Sequence, residues 1–391
     1  MSTVLPARNA VALAFALNGL CFATLVSRVP DLRSDLGLDN GELGLLLLAI
    51  AAGSILALPS AGRLIGRLGA AGVVRLGALT AALGLATAAL AADVATSWPL
   101  CAVGLFAYGI GVGVWDVAMN VEGAEVERRL GRTVMPRFHA GWSVGSIVGA
   151  GVGVAMAAAD VPLALHVGGV GVLALALVVP GVRAFLPPAP EQADPDAAAP
   201  GSAWLEPSTL AVGLMVLAFA LVEGSANDWL AVALIDGYDA RRWVGVAGFS
   251  LFVTAMTTGR LVGPVALDRY GRAPVLWATS ALAAAGVLLV VLAGSPVPAG
   301  VGIVLWGLGA ALGFPVGMSA AADDPARSAA RVSVVATIGY AAFLAGPPLL
   351  GQLANRVGTL DSLLAVAALM APAALSVLAA RPVPEPATRE G

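Results

Sequence analysis

The chain has 391 residues, of which 59% are hydrophobic and only 12% are charged, and its formal net charge is −3. A soluble protein of this length cannot bury so large an apolar fraction in one core, which excludes a water-soluble globular fold. The scattered basic residues also form no contiguous patch of the kind that nucleic-acid binding requires. We therefore expect a protein whose solvent is lipid, with no nucleic-acid partner.

Apolar runs long enough to cross a bilayer recur along the whole chain. A hydrocarbon core about 30 Å thick needs about 20 apolar residues at a rise of about 1.5 Å each. Twelve such runs occur, and we number them spans 1 to 12; the sequence thus predicts an all-α membrane protein. The first six cover residues 9–29, 42–62, 72–92, 98–120, 137–158 and 162–182. The other six cover residues 208–233, 243–266, 274–294, 298–320, 330–353 and 359–380.

Arginines are distributed unevenly between the two ends of these spans. Positive charge in short loops marks the cytoplasmic side of a membrane protein. With the N-terminus inside, fifteen arginines fall on one side and five on the other, while Arg260 lies within span 8. The fifteen are Arg8, Arg63, Arg67, Arg75, Arg128, Arg129, Arg132, Arg137, Arg183, Arg269, Arg272, Arg327, Arg331, Arg381 and Arg389. We call this the arginine-rich side and expect both termini there, in the cytoplasm of a bacterium whose inner membrane holds the protein.

The two halves of the chain repeat one another. Four landmarks recur in order at nearly one offset, which predicts a parallel duplication of six spans with a solute site between the halves. Residues 186–207 are rich in proline, alanine and acids, which predicts a flexible cytoplasmic linker between bundles 1–185 and 208–391. The landmarks pair Ala14–Leu17 with Ala218–Leu221, Arg67–Gly69 with Arg269–Gly271, Gly109–Gly111 with Gly307–Gly309, and Ser143–Gly145 with Thr337–Gly339.

Two loops resemble the signature of the major facilitator superfamily. The stronger copy is Gly263–Arg272 (GPVALDRYGR), and the weaker copy is Gly62–Gly69 (GRLIGRLG), where Gly66 stands in place of the acid. The resemblance covers essentially the whole chain and implies a transporter of two pseudo-symmetric six-helix bundles. It also implies a cytoplasmic gate at the residues Arg67, Gly69, Asp268, Arg269, Gly271 and Arg272.

A narrower resemblance is to the fucose permeases of that superfamily. It rests on Gly19 with Val29–Leu32 (VPDL), on Asp116–Asn120 (DVAMN) and on His139–Gly145 (HAGWSVG). It implies that Asp116 takes part in proton coupling and that His139 contacts the solute. The Asn-Asp pair of those symporters is replaced here by Leu25-Val26, so hexose specificity does not carry over.

Ionisable residues inside the spans are few, and each costs at least about 2.5 kcal/mol to insert, which makes it a functional candidate. Asp116 and Asn120 are four residues apart and share one face of span 4, and Glu223 and Asn227 repeat that spacing in span 7. We expect Asp116 and Glu223 to handle protons and the two amides to contact solute. The alternative is structural, with each acid pairing to an arginine or bonding a neighbouring helix.

Four further residues complete the candidate binding set, each with a structural alternative. Asn18 offers a solute contact or an interhelical bond, His139 a titratable group or a helix cap, and Trp142 an aromatic face or plain packing. Tyr340 is one of the polar residues of span 11. We expect His166 to be structural and Arg260, near the arginine-rich surface, to snorkel or pair.

These features predict a secondary transporter that moves a sugar-like or small polar solute, coupled to protons, as a monomer without a cofactor or bound metal. No GxxxxGK[ST] loop is present to hold a nucleotide. Efflux of amphiphilic compounds and a non-transporting solute sensor remain open. An enzyme is not expected, because the chain has only two histidines and no HExxH pattern.

Overall fold

A computed structural model describes residues 3–38, 40–187, 200–240 and 242–380, which are almost entirely helical and contain no strand. Within these ranges eleven helices are long and apolar enough to cross a membrane. One of the eleven contains both span 2 and span 3, so the predicted twelve crossings and the all-α fold are confirmed. Arg241, Arg381, Arg389 and most of the predicted linker lie outside the described residues.

The first six spans form helices close to their predicted bounds, except that the helix of span 4 continues ten residues beyond its predicted end at 120, to Leu130. Spans 2 and 3 are joined through Gly69, whose non-helical φ of 68° and ψ of 165° turn the chain back across the bilayer. A short extra helix, Val29–Asp35, follows span 1. The span helices are Val4–Ser27, Asn40–Asp93 for spans 2 and 3, Trp98–Leu130, Met135–Ala158 and Leu163–Gly181.

The second six spans contain more interruptions than the first. Span 7 passes through a π-helical turn, Ala226–Leu230, and span 10 breaks at Ala311 and Leu312. Pro207–Ser225 and Ala231–Tyr238 flank the π turn, and spans 8 to 11 are Arg242–Tyr270, Arg272–Leu292, Pro296–Ala310 with Gly313–Ala321, and Ser328–Val357. Span 12 comprises Thr359–Ser362, Leu364–Ser376 and the 3-10 turn Val377–Ala380.

The internal repeat is visible in the backbone of the turns as well as in the sequence. Four positions with positive φ in the first half have a partner with positive φ in the second half, at an offset of 202 or 198 residues. The same bend therefore recurs whether the residue is glycine or not. The pairs are Gly37 with Asp239, Gly69 with Gly271, Thr96 with Gly294, and Asp160 with Gly358.

Neighbouring spans within each half approach closely through glycine. A Cβ added to Gly84 of span 3 would lie 2.4 Å from the backbone nitrogen of Tyr108 in span 4. A Cβ on Gly286 of span 9 would lie 2.3 Å from the nitrogen of Trp306 in span 10. Small residues at these crossings allow the backbones to pack against each other in lipid.

Both described ends of the predicted linker are held in place. Glu122 of span 4 is buried, and its Oε1 accepts a hydrogen bond of 2.6 Å from the Leu186 amide. At the other end, Pro200–Leu205 forms a 3-10 helix, and Glu206 pairs with Arg327 and Arg331. The linker is thus anchored once on each half rather than flexible throughout residues 186–207.

The two halves meet through two equivalent contacts, which we call seam 2–11 and seam 5–8 after the spans that form them. Among the described residues, hydrogen bonds of Ser333, Asp268 and Arg260 join the halves, and the Tyr340 hydroxyl also contacts the Asp116 carboxyl across them. The Ser333 hydroxyl donates to the Leu58 carbonyl in seam 2–11, at 2.5 Å. Asp268 accepts from the Thr133 amide at the arginine-rich surface, and Arg260 contacts Ser143 in seam 5–8. All three bonds lie at mid-depth or on the arginine-rich side.

Candidate functional site

Three of the predicted site residues of the first half form one hydrogen-bonded group. The helical spacing of span 4 stacks Asn120 one turn after Asp116, and the Asn120 amide nitrogen donates to Asp116 Oδ1 at 3.3 Å and to the Asp116 carbonyl at 2.9 Å. Nε2 of His139 in span 5 lies 3.2 Å from Asn120 Oδ1. Because an amide oxygen only accepts, this contact places the proton of His139 on Nε2. All three side chains are buried.

Arg260 of span 8 is the link to the second half. Its Nη2 donates to Glu223 Oε2 of span 7 at 2.8 Å, and its Nη1 donates to Ser143 Oγ of span 5 at 3.0 Å. Of the two expected roles, pairing is confirmed and snorkelling is not, because the Arg260 side chain is only 3% exposed. A charge at this depth is stable because a carboxylate compensates it, whereas snorkelling would require water within reach.

Tyr340 of span 11 lies between the two acids. Its hydroxyl interacts with the carboxyl of Asp116 and, at longer range, with Glu223. Its ring makes edge contacts with Phe314 and Phe343, with centroids 6.3 and 6.0 Å away, and Phe314 in turn contacts the His139 ring at 5.6 Å. The polar groups of both halves thus form one connected group beside an aromatic wall; we call Asp116, Asn120, His139, Ser143, Arg260, Glu223 and Tyr340 the central ring.

A second group lies beside the central ring, between spans 1 and 5. The Trp142 indole nitrogen donates to Asn18 Oδ1 at 3.0 Å, and the Trp142 ring faces Phe22 at 5.5 Å. Asn18 is buried and Trp142 half-buried, while Phe22 is exposed. The spacing of residues in spans 1 and 5 could not reveal this pairing, because it depends on how the two helices cross.

Two buried polar atoms of these groups have no hydrogen-bond partner among the residues that the structure describes. They are Oδ2 of Asp116 and the amide nitrogen of Asn18. An unpaired buried polar atom costs about 1–3 kcal/mol, so each favours a hydrogen-bonding solute, a proton or water beside it. One atom accepts and the other donates, which suits a ligand that offers both functions.

Asn227 and His166 lie outside the central ring. Asn227 is exposed and lies one turn beyond Glu223 in span 7, outside the ring. His166, expected to be structural without a polar companion, has its Nδ1 3.3 Å from Arg28 Nη1, and Arg28 also pairs with Asp31 at 2.7 Å. This largely buried cluster joins spans 1 and 6 on the side of the protein opposite the arginine-rich side.

The predicted gate loops differ between their two copies. Gly69 and Gly271 adopt the same conformation, with φ of 68° and 78°. In the second copy, Asp268 accepts from the Thr133 amide at 2.9 Å and Arg272 pairs with Asp323 at 2.6 Å. The remaining two residues make few contacts: Arg67 is exposed, and Arg269 stacks over the Tyr270 ring.

Comparison with known sequences and structures gives one consistent result. Residues 11–347 match the Major Facilitator Superfamily. The chain is 34% identical over 360 residues to an uncharacterized transporter of Sinorhizobium fredii, covering 91% of this chain and 93% of that one. It is 33% identical to an uncharacterized MFS-type transporter of Yersinia pestis (88% of each chain). It is also 27% identical to membrane protein MosC of Rhizobium meliloti, covering 92% of this chain and 86% of MosC.

Solved structures agree on the fold. The Escherichia coli fucose:proton symporter superimposes with a TM-score of 0.80 at 16% identity, covering 97% of this chain and 99% of that one. A proton:xylose symporter superimposes with a TM-score of 0.75 at 13% identity, covering 96% and 95% of the two chains.

Proposed function

We propose that this chain, which belongs to the major facilitator superfamily, is a proton-coupled secondary transporter that carries a small polar solute across the bacterial inner membrane by alternating access. Its relatives are transporters, and its fold is that of sugar:proton symporters. The observation that carries the proposal is the central ring, a group of buried polar side chains drawn from both halves and lying where the halves meet.

Charge compensation favours Asp116 over Glu223 as the proton-binding acid. Glu223 faces the guanidinium of Arg260 at 2.8 Å, so its negative charge is balanced within its own half. Asp116 faces only the Asn120 amide and the Tyr340 hydroxyl, and its Oδ2 has no partner. A buried carboxylate without a cation is costly, so Asp116 gains more than Glu223 from binding a proton.

The shape and polarity of the site favour a neutral solute with a ring or an apolar face. Asn18 has a free donor, Trp142 offers an aromatic face, and Asn120 and His139 are within the same layer of polar groups. The nearby charges of Arg260 and Glu223 cancel each other. A sugar-like solute matches this combination, whereas the exposed ring of Phe22 is the feature that favours an amphiphilic efflux substrate instead.

The arginine distribution supports the orientation with the arginine-rich side in the cytoplasm. Because the hydrogen bonds between the halves lie at mid-depth or on that side, the structure then corresponds to the conformation that is closed to the cytoplasm. Alternating access would require these bonds to break when the solute is released inside.

The proposal is tested first by finding the solute and then by measuring coupling. Purified protein is screened by thermal unfolding against cyclic polyols and against amphiphilic compounds, since a ligand that binds the folded state raises the melting temperature. The best binder is then offered to proteoliposomes with an imposed pH gradient, where we expect accumulation in response to the gradient. Uptake that ignores the gradient would contradict proton coupling, and binding without flux would indicate a sensor.

The two acids provide the matched variants for that assay. We expect Asp116→Asn to abolish gradient-driven accumulation while retaining exchange of labelled solute, because the site persists without its proton. Glu223→Gln should retain gradient dependence at a reduced rate. The reverse pattern, with accumulation lost only in Glu223→Gln, would show that the charge argument selects the wrong acid.

A further inference from the structure

The guanidinium of Arg260 connects an acid of its own half to a hydroxyl of the other half. The sequence alone assigns no function to this connection. We propose that Arg260 and Ser143 form a positioning pair that holds the protein closed on its arginine-rich side. The inference deepens the proposed function, on which it rests for the alternation between two conformations.

The Ser143 hydroxyl acts both as a donor and as an acceptor in this arrangement. Its hydroxyl donates to the His139 carbonyl at 3.2 Å, so a lone pair remains to accept from Arg260 Nη1. Both side chains are at most 4% exposed. The bond is therefore shielded from water, which would otherwise compete for the guanidinium.

Glu223 sets the direction of the guanidinium. A guanidinium is a planar fork, so fixing Nη2 on the Glu223 carboxylate also fixes where Nη1 points. A weaker contact of Nε with the Ala311 carbonyl, at 3.4 Å, adds a second restraint from the same half. Arg260 is thus held by its own half and directed across the seam at Ser143.

The Arg260 bond differs from the bonds that Ser333 and Asp268 make between the halves. The Ser333 bond to the Leu58 carbonyl is buried but uncharged, and the Asp268 bond to the Thr133 amide is charged but exposed. Of these three bonds, only the Arg260 bond is both buried and charge-assisted, and such bonds are the stronger class. Its loss should shift the balance between the two conformations more than the loss of a neutral bond.

The equilibrium can be read with two cysteine reporters, one on each side. Ser333→Cys lies in seam 2–11 and becomes accessible when the arginine-rich side opens. Asn227→Cys is exposed in the present conformation and lies beyond Glu223, away from that side. The native thiols Cys21 and Cys101 are buried and give a low background. Labelling with a soluble maleimide is measured on purified protein, without solute or pH gradient.

We expect Ser143→Ala to raise the labelling rate at the Ser333→Cys reporter about tenfold and to lower it at the Asn227→Cys reporter. The opposite changes are the signature of a population shift, because simple loosening would raise both rates. The matched control is Ser146→Ala, one turn along span 5, whose hydroxyl bonds the Gly19 carbonyl within the same half. Equal responses to the two substitutions, or no response to Ser143→Ala, would overturn the positioning pair.

Arg260→Lys supplies an independent arm that keeps the charge opposite Glu223. A lysine ammonium lacks the planar fork, so it should hold Glu223 and lose Ser143, with the same labelling shift as Ser143→Ala. The double variant should shift no further than either single variant, and additive shifts would overturn the pairing. Because labelling needs no transport, a failure of solute uptake with this labelling pattern intact would contradict the proposed function alone.

Discussion

Seam 2–11 and seam 5–8 occupy equivalent places in the two halves but are built from different chemistry. Leu58 and Arg260 are 202 residues apart, the offset that also relates Gly69 to Gly271. At Leu58 the seam uses a backbone carbonyl and close packing; a Cβ on nearby Gly62 would lie 2.9 Å from the Ala329 carbonyl oxygen. At Arg260 it uses a buried charge. The duplicated scaffold thus keeps a contact at both seams, while only seam 5–8 contains an ionisable side chain.

Removing the charge from seam 5–8 should have the largest effect. Arg260→Ala leaves Glu223 as a buried carboxylate without its cation, and we expect the free energy of unfolding to fall by about 3–5 kcal/mol. The measurement is the unfolding of purified protein in detergent. Glu223→Gln added to Arg260→Ala should recover most of the loss, since no charge then remains unpaired; a double variant as unstable as Arg260→Ala would argue against compensation.

Overfilling seam 2–11 should have an intermediate effect. Gly62→Val places side-chain atoms against the Ala329 backbone, and such overpacking costs about 1–3 kcal/mol. The same substitution at Gly66, one turn later, meets nothing within 4 Å and serves as the control, with a change of about 0.5 kcal/mol or less. Stability and Ser333→Cys labelling are measured for both, and equal effects would show that the close approach in this seam carries no strain.

The exposed bond between the loops should matter least. Asp268→Ala removes the acceptor of the Thr133 amide, and we expect a loss of about 0.5–1.5 kcal/mol in the stability of the closed arginine-rich side. Asp268→Asn keeps an oxygen acceptor and should be milder. Gly66→Asp, which restores an acid to the first copy, should change little because the position faces open space. The labelling rate at the Ser333→Cys reporter ranks the three variants by the stability of the closed arginine-rich side. A gain in that stability from Gly66→Asp would contradict this ranking.

The sequence predicts the features that depend on local periodicity. Hydropathy locates all twelve spans, glycine marks the turns at residues 69 and 271, and the four-residue spacing of Asp116 and Asn120 correctly indicates one face of span 4. These follow from chain stereochemistry within one helix or one turn.

The contacts that build the central ring are not predictable in this way. Arg260 meets partners 37 and 117 residues away along the chain, and these contacts are set by how three helices cross rather than by any local pattern. The one available signal is that Arg260 is an arginine inside a span, which identifies it as costly but does not name its partner. The pairing of Asn18 with Trp142 is hidden for the same reason.

The π-helical turn of span 7 has a mechanical consequence for the site. A π turn spaces its hydrogen bonds by five residues instead of four, which disrupts the regular ladder and makes bending easier there than in the flanking α-helix. The turn, Ala226–Leu230, begins three residues after Glu223. We therefore expect the outer part of span 7, Ala231–Tyr238, to change its angle about this turn while Glu223 stays paired with Arg260.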